Sequence, residues 1–162
     1  MRRAIHAMQK SHWPAEDATA TVTLAFDVRH KRRIRMVDDT GEPFLLDLPE
    51  ATMLGDGDGL ELDEGGFIAV KAAPEPVADV SAAAPAELTR LAWHVGNRHE
   101  PLEVIDAHRF RVRDDHVLID MLTGLGGRVL RHVAPFAPES GAYSHAGHGD
   151  HHGHDHGHDH DH

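Results

Sequence analysis

Residues 77–133 read VADVSAAAPAELTRLAWHVGNRHEPLEVIDAHRFRVRDDHVLIDMLTGLGGRVLRHV, and this stretch decides the fold. Its hydrophobic pattern alternates between the period of a strand and the period of a helix. Strands are predicted at 77–82, 102–105, 110–112 and 128–133, with one helix from Pro85 and a second after Asp114. The order β-α-β-β-α-β is that of the ferredoxin-like fold.

The two helices each have one apolar face and recognisable ends. Pro85 suits a first helical position, and Gly96-Asn97 ends the first helix because both residues tolerate the left-handed conformation. Asp114 is the expected cap of the second helix, which Gly126-Gly127 stops. The predicted buried faces are Leu88, Leu91, Ala92 and Val95 in the first helix and Val117, Leu118, Met121, Leu122 and Leu125 in the second.

The first 73 residues are predicted to form a β-rich domain. Short strands such as 21–26, 44–48 and 67–70 recur with glycine-rich turns, which favours a small sandwich or barrel-like module. The basic run at 29–33 is interpreted first as a solvated turn and second as a contact for an acidic protein partner. The DGDG string at 56–59 lacks the spacing of a calcium loop and is predicted to be a hairpin turn.

Three regions follow from these patterns. An α+β chain is expected, with a β-rich domain at 1–73, a ferredoxin-like domain at 74–135 and a disordered His-rich tail at 136–162. The boundary is the proline-containing stretch Ala72–Pro76, interpreted as a linker.

The last eighteen residues hold nine His, four Asp, four Gly and Ala146. Such a segment has no apolar side chains to offset the entropy of ordering, so it is expected to be disordered. Its alternating pattern, HGHDHGHDHDH, favours metal binding over an engineered tag or a merely acidic tail. The candidate ligands are His145, His148, His151, His152, His154, His156, His158, His160 and His162.

Composition excludes several functions. The net charge of −11 argues against nucleic-acid binding. With no Cys, any metal must be held by imidazole nitrogen and carboxylate oxygen. No signal peptide and no apolar run of membrane-spanning length are evident, so a cytoplasmic protein without membrane contact is expected.

Three of the five histidines in the predicted ferredoxin-like domain are further candidates. His94 and His99 flank the end of the first helix, and His116 starts the second. A spacing of five across a helix stop does not put two rings on one face, so these two histidines need not share one ion. By spacing alone, a single loop histidine is more often a surface residue than a ligand. His99 becomes a ligand if a twofold axis pairs it with its copy and tail histidines complete an open, exchangeable shell.

The strings HVGNRHEPLEV, DDHVLIDML and PFAPESGAYSHAGHG, with the His-rich end, closely resemble the UreE family of urease accessory proteins. A weaker likeness at TLAFDVRHKRRIR, LPEATMLGDGDGL and VKAAPE extends through the N-terminal region. The resemblance implies a nickel metallochaperone, not an enzyme, with an N-terminal domain that binds peptide or partner protein and a C-terminal domain that dimerises.

The resemblance also implies roles for single residues. His99 matches the interfacial nickel ligand, His94 is not an expected primary ligand, and His116 matches an auxiliary metal position. Some members carry a further His where this chain has Asp114, which puts a second internal site in doubt. The implied partners are a second copy of the chain, the urease apoprotein and its accessory proteins, including the GTPase.

Three functions are therefore weighed. The first is delivery of Ni(II) for urease metallocentre assembly, with Zn(II) and Cu(II) as competitors. The second is a general buffer or storage protein for zinc, copper or nickel, since Cu(II) outcompetes Ni(II) at most such sites. A metallohydrolase is least favoured, because no HExxH-type pair is present and the only acid–His cluster is Asp114-Asp115-His116.

Overall fold

The computed structural model describes residues 1–140. Its N-terminal part contains strands and two short 3₁₀ turns, at Ala15–Asp17 and Phe26–Val28. The strands are β1 (Arg2–Met8), β2 (Ala18–Leu24), β3 (His30–Val37), β4 (Pro43–Met53), β5 (Gly59–Leu62) and β6 (Phe67–Ala72).

These six strands form one mixed sheet in the order β2-β6-β5-β1-β4-β3. Strand β1 pairs in parallel with β4, and β2 in parallel with β6. The alternating side chains of β4 illustrate the packing, because Phe44, Leu46 and Leu48 all point into the core. The all-β prediction for this part is therefore confirmed, although its strands belong to one sheet and not to two facing sheets.

Two turn predictions in this part are wrong. The basic run does not form a solvated turn, since His30 opens β3 at the edge of the sheet and Arg29 is only 2% exposed. The DGDG string is not a hairpin, because β1 lies between β4 and β5. Its carboxylates hold backbone amides instead: Asp56 accepts from Ala72 N at 2.8 Å, and Asp58 from Gly55 N at 2.7 Å.

The C-terminal part is α+β. Its elements are β7 (Pro74–Ser81), α1 (Pro85–Asn97), β8 (Glu103–Asp106), β9 (Arg109–Arg113), α2 (His116–Gly124) and β10 (Arg128–Pro135). The strands form an antiparallel sheet in the order β10-β7-β9-β8, which is 4-1-3-2 in chain order. Both helices pack on one face, where Ala78 and Val80 meet Leu91 and Leu122.

The predicted linker is part of a strand. Only Ala73 separates β6 from β7, and Pro74 and Pro76 pair with Pro135 and Val133 of β10. Proline is tolerated there because these first residues of β7 have a strand partner on one side only, β9 joining from Val77 onward.

The second helix differs from expectation at its cap and on its face. Asp115, not Asp114, caps it by accepting from Leu118 N at 2.9 Å, while Asp114 pairs with Arg131 at 2.9 Å. Ile119 is buried, whereas Val117 is 55% exposed. The predicted apolar face is therefore rotated by about one residue at its start.

The tail was predicted to begin at 136, but Phe136 is fully buried. Glu139 N donates to Leu102 O at 2.8 Å, so the packed structure continues past β10. The predicted disorder of the His-rich sequence concerns residues that lie outside the described range. Within residues 1–140, no helix is long and apolar enough to cross a membrane.

Candidate metal site at the end of the first C-terminal helix

Helix α1 ends in a Schellman motif. His99 N donates to Gly96 O at 2.9 Å, and Glu100 N donates to Val95 O at 3.3 Å. These two bonds satisfy carbonyl groups that the end of a helix would otherwise leave without partners. The motif requires one residue in the left-handed conformation, and that residue is His99, with φ 58°.

A histidine is unusual at this position. Glycine normally occupies it, because a Cβ atom in the left-handed conformation costs roughly 1–2 kcal/mol. The chain places Gly96 and Asn97 inside the helix instead. Strained backbone at an exposed, chemically capable side chain is a recognised mark of a functional position.

His94 lies in the last turn of α1 and contacts an aromatic ring. Its ring meets the Trp93 ring edge to face, with centroids 5.0 Å apart. Trp93 itself is 61% exposed, which is high for so large an apolar group. The end of α1 therefore presents an uncovered aromatic surface a few residues before His99.

His116 is the first residue of α2 and is exposed. A surface cleft of about 370 Å³ is lined by Glu100, Asp114, Asp115 and three further residues. The immediate neighbours of His99 and of His116 thus line one cleft. The cleft carries both signs of charge, because Arg113 also lines it and Asp114 is already paired with Arg131 at 2.9 Å.

No complete metal centre is formed by the described residues of the chain. Among residues 1–140, no group of three or more His, Asp or Glu side chains is arranged to hold an ion. The nine tail histidines named above lie outside that range. The predicted ligands His99 and His116 are both exposed.

A segment that sequence reasoning missed adjoins this region. Residues 136–139 run from the end of β10 to the edge strand β8, where Glu139 bonds to Leu102 and Val104. Leu102 follows His99 by three residues. The one available signal was an aromatic residue, Phe136, inside a stretch otherwise rich in proline and small residues.

Comparisons with known proteins agree with the two-part architecture. The family described as "UreE urease accessory protein, N-terminal domain" matches residues 1–73, and its C-terminal counterpart matches residues 75–162. The chain is 50% identical to the urease accessory protein UreE of Rhodopseudomonas palustris (strain HaA2), over 92% of this chain and 68% of that protein. For the proteins of the same name from Chelativorans sp. (strain BNC1) and Rhodobacter capsulatus, identity is 51% and 46%, over 81% and 88% of this chain and 84% and 87% of theirs.

The fold and the matches define an accessory protein and not an enzyme. The chain has one all-β and one α+β part, and His99 and His116 are exposed in the second of these. The chain belongs to the UreE family of urease accessory proteins.

Proposed function

We propose that this protein is a cytoplasmic homodimer that binds Ni(II) and delivers it for assembly of the urease metallocentre. The observation that carries the proposal is the position of His99 at the end of α1. Its side chain is exposed, and its backbone is in the left-handed conformation. In the proposed assembly, the His99 side chains of both subunits bind the same ion at the dimer axis, and tail imidazoles supply further ligands. His116 is an auxiliary ligand.

The surface near His99 supports dimerisation through the C-terminal domain. Trp93 is largely exposed. Gly96, three residues later, has no side chain and nothing within 4 Å of an added Cβ, so a second helix could approach closely there. A symmetric interface repeats each residue, so pairing of this face would bring two His99 rings together. The 4-1-3-2 strand order supports a ferredoxin-like fold for this domain, with its helices on one face.

The donor set suits an ion that must be released again. Imidazole is a ligand that suits nickel, and the absence of Cys excludes the tighter thiolate sites. We propose that transfer occurs to the urease apoprotein and its accessory proteins, including the GTPase, by ligand exchange. Zn(II) and Cu(II) compete for the same nitrogens, so affinity alone does not select nickel, and coordination geometry and metal availability contribute to the choice.

The main experiment separates the His99 site from the tail. Truncation after Tyr143 should remove most of the bound nickel in equilibrium dialysis but leave about one ion per dimer. His99→Ala on the truncated chain should remove that ion. His108→Ala is the matched control, because His108 is also an exposed histidine and lies on the β8–β9 turn. Retention of the ion by the truncated His99→Ala protein would contradict the proposed site.

Two further measurements test the mechanism. Binding requires neutral imidazole, so nickel stoichiometry should fall as pH drops through about 6.5, and an unchanged value at pH 5 would argue against imidazole ligands. Deleting the gene should lower urease activity, and added nickel should partly restore it. Normal urease activity in deleted cells would favour the alternative of a general zinc, copper or nickel buffer.

A further inference from the structure

We propose that the open edge of β3 binds an extended, acidic segment of a partner protein, which joins the N-terminal sheet as an additional strand. The inference rests on the proposed function for the role of that partner, which is to receive the metal. The geometry that supports it lies in the all-β domain and does not involve His99. The basic edge is defined as Lys31, Arg32, Arg33 and Arg35 of β3.

The pairing of β3 shows which of its main-chain groups are free. Strand β3 is the last strand of the six-stranded sheet, and its neighbour there is β4. In the turn that joins the two strands, Asp38 N donates to Glu42 O at 3.0 Å. The next pair, Val37 and Pro43, cannot exchange two hydrogen bonds because proline has no N–H. Val37 and Pro43 therefore form a non-hydrogen-bonded pair.

Hydrogen-bonded and non-hydrogen-bonded pairs alternate along antiparallel strands, so this pattern extends along β3. Met36 and Ile34 bond to β4. The N–H and C=O groups of Val37, Arg35 and Arg33 point away from β4, to the open side of the sheet. Among residues 1–140, these three amides donate to no acceptor. Such an edge is a template for a further strand, whose main-chain bonds would supply affinity.

The basic edge carries an excess of positive charge, although the chain as a whole has a net charge of −11. Arg33 Nε lies 3.7 Å from Asp47 Oδ1, but Arg3 Nη2 already lies 2.7 Å from the other oxygen of that carboxylate. One carboxylate therefore faces two guanidinium groups. Arg32 and Arg35 are exposed and have no ion-pair partner within the described part of the chain. This charge favours an acidic partner and speeds its approach.

The register of β3 defines the sequence pattern of the partner. Arg33 lies opposite Asp47, so Arg33 and Arg35 share the outer face of the sheet. Ile34 lies opposite the buried Leu46, yet its side chain is 37% exposed because nothing covers the open side of β3. An added strand would place acidic side chains beside the two arginines and an apolar side chain beside Ile34. The favoured segment therefore alternates acidic, apolar and acidic residues.

Two other occupants fit the basic edge less well. A second copy of β3 would bring the arginines of both copies together, and like charges on paired strands destabilise a sheet. Basic residues on edge strands commonly prevent such self-pairing. Prevention alone would not require exposed apolar groups, yet Ile34 and Val37 are 37% and 56% exposed. Nucleic acid is disfavoured by the overall negative charge of the chain.

The first test uses metal-free protein and a synthetic peptide of about ten residues in which Glu and Val alternate. Before the peptide is added, hydrogen exchange followed by NMR should show slow amides at Ile34 and Met36 and fast amides at Arg33 and Arg35. The peptide should bind saturably and slow the amides of Arg33 and Arg35. Absence of binding, or binding that leaves those two amides fast, would overturn the inference.

The second test changes the charge of the basic edge. Arg35→Glu replaces an attractive pair across the strands by a repulsive one, so the Kd of the peptide should rise about tenfold. Arg35→Gln should raise it about threefold, and this variant decides the question if charge reversal prevents folding. Arg128→Glu is the matched control, because Arg128 is also exposed and lies on an edge strand, β10. Equal weakening by Arg35→Glu and Arg128→Glu would show general charge attraction and overturn the inference.

Two measurements decide on the other occupants. A single-stranded DNA oligonucleotide with the same charge as the peptide should leave the amides of Arg33 and Arg35 fast. Protection of these amides by the oligonucleotide to the same extent would overturn the inference. Arg35→Glu should leave the oligomeric state unchanged in sedimentation velocity. A smaller oligomer would show that the edge joins two copies of the chain and would overturn the acidic partner.

The last experiment distinguishes this inference from the proposed function. In cells, Arg35→Glu should lower urease activity, whereas the purified variant should bind as much nickel as the unsubstituted protein. His99→Ala should weaken nickel binding and leave peptide binding unchanged. If the protein binds no nickel, the proposed function fails, while amide protection by the peptide still decides on the basic edge. Unchanged urease activity with Arg35→Glu would show that the edge has no part in delivery and would overturn the inference.

Discussion

Arg29 and Phe136 are 107 residues apart, yet the Arg29 guanidinium donates a hydrogen bond to the Phe136 carbonyl oxygen. The same guanidinium donates to Leu54 O at 3.4 Å, and its carbon lies 5.7 Å from the Phe26 ring centroid. Burial lowers the pKa of Arg29, and the negative charges of Glu75 and Asp56 oppose that shift. Arg29 therefore joins the all-β domain to the segment that leads out of the α+β domain.

We expect Arg29→Lys to destabilise the protein although it keeps the charge. A single ammonium group cannot reproduce the planar fork that reaches two separate carbonyl groups, and an unsatisfied buried carbonyl costs about 1–3 kcal/mol. The predicted loss is about 2–3 kcal/mol in the free energy of unfolding, measured by urea titration. Arg32→Lys, on the exposed surface of β3, should change it by less than about 0.5 kcal/mol. Equal midpoints for the two variants would show that the Arg29 bonds contribute nothing.

Asp79 should determine part of the acid stability. It is buried and accepts from Arg111 Nε at 2.7 Å, and His132 Nε2 lies 3.1 Å away. Burial raises the pKa of Asp79, but hydrogen bonding to Arg111 and His132 outweighs it and leaves the pKa below its ordinary value. The unfolded chain therefore takes up the proton first, so this stabilisation is present above about pH 4 and is lost as pH falls through the lower folded value.

The corresponding variant is Asp79→Asn. It should lose about 2–4 kcal/mol of stability at pH 7, because Arg111 keeps its charge in a largely buried position without its partner. Its stability should also fall less steeply than that of the unsubstituted protein between pH 4 and pH 2. Urea titrations at several pH values measure both effects. Asp63→Asn, at an exposed turn, is the control, and a parallel acid limb for the Asp79 variant would refute the assignment.

Sequence predicted the C-terminal domain well because its signals are local. The faces of α1 and α2 follow from apolar spacing, and Leu91, Val95, Leu118 and Leu122 are buried as expected. The cap of α2 shows the limit of that information. Two adjacent aspartates are equally suitable, and only the contact of Asp114 with Arg131, seventeen residues away, leaves Asp115 to cap the helix.

Long-range contacts explain what the sequence could not predict. The parallel pairing of β1 with β4 joins Arg2 to Phe44, and no turn signal specifies it. Burial of Arg29 depends on carbonyl groups from two distant segments, which the local sequence does not reveal. Its basic neighbours alone therefore suggested a solvated turn. For the site, the family resemblance indicated His99 as the ligand. The left-handed residue that ends α1 was expected at Gly96 or Asn97, but both are helical and His99 has that conformation instead.

Two glycines should respond to the same substitution in opposite directions. At Gly59, an added Cβ would lie 2.3 Å from the Trp13 ring, whose Nε1 donates to Gly57 O at 3.1 Å. Gly59→Ala should therefore cost about 1–3 kcal/mol and shift the tryptophan emission. At Gly124 nothing lies within 4 Å of an added Cβ, and Gly124→Ala should stabilise α2 by about 0.5–1 kcal/mol. Thermal unfolding measures both, and a stable Gly59→Ala protein would contradict the close packing of Trp13.

The left-handed backbone of His99 predicts that stability and metal binding can be separated at one position. In metal-free protein, His99→Gly removes the Cβ that is strained at φ 58°, whereas His99→Ala keeps it. The glycine variant should be more stable than the alanine variant by about 0.5–1 kcal/mol in urea unfolding, although both lack the imidazole. The adjacent residue supplies the control: Glu100 has no positive φ, so Glu100→Gly should destabilise. If alanine and glycine at position 99 gave equal stability, the backbone there would carry no strain. If His99 binds nickel as proposed, both variants at position 99 should lose the ion expected in the truncated protein, because each lacks the imidazole nitrogen whatever its backbone strain.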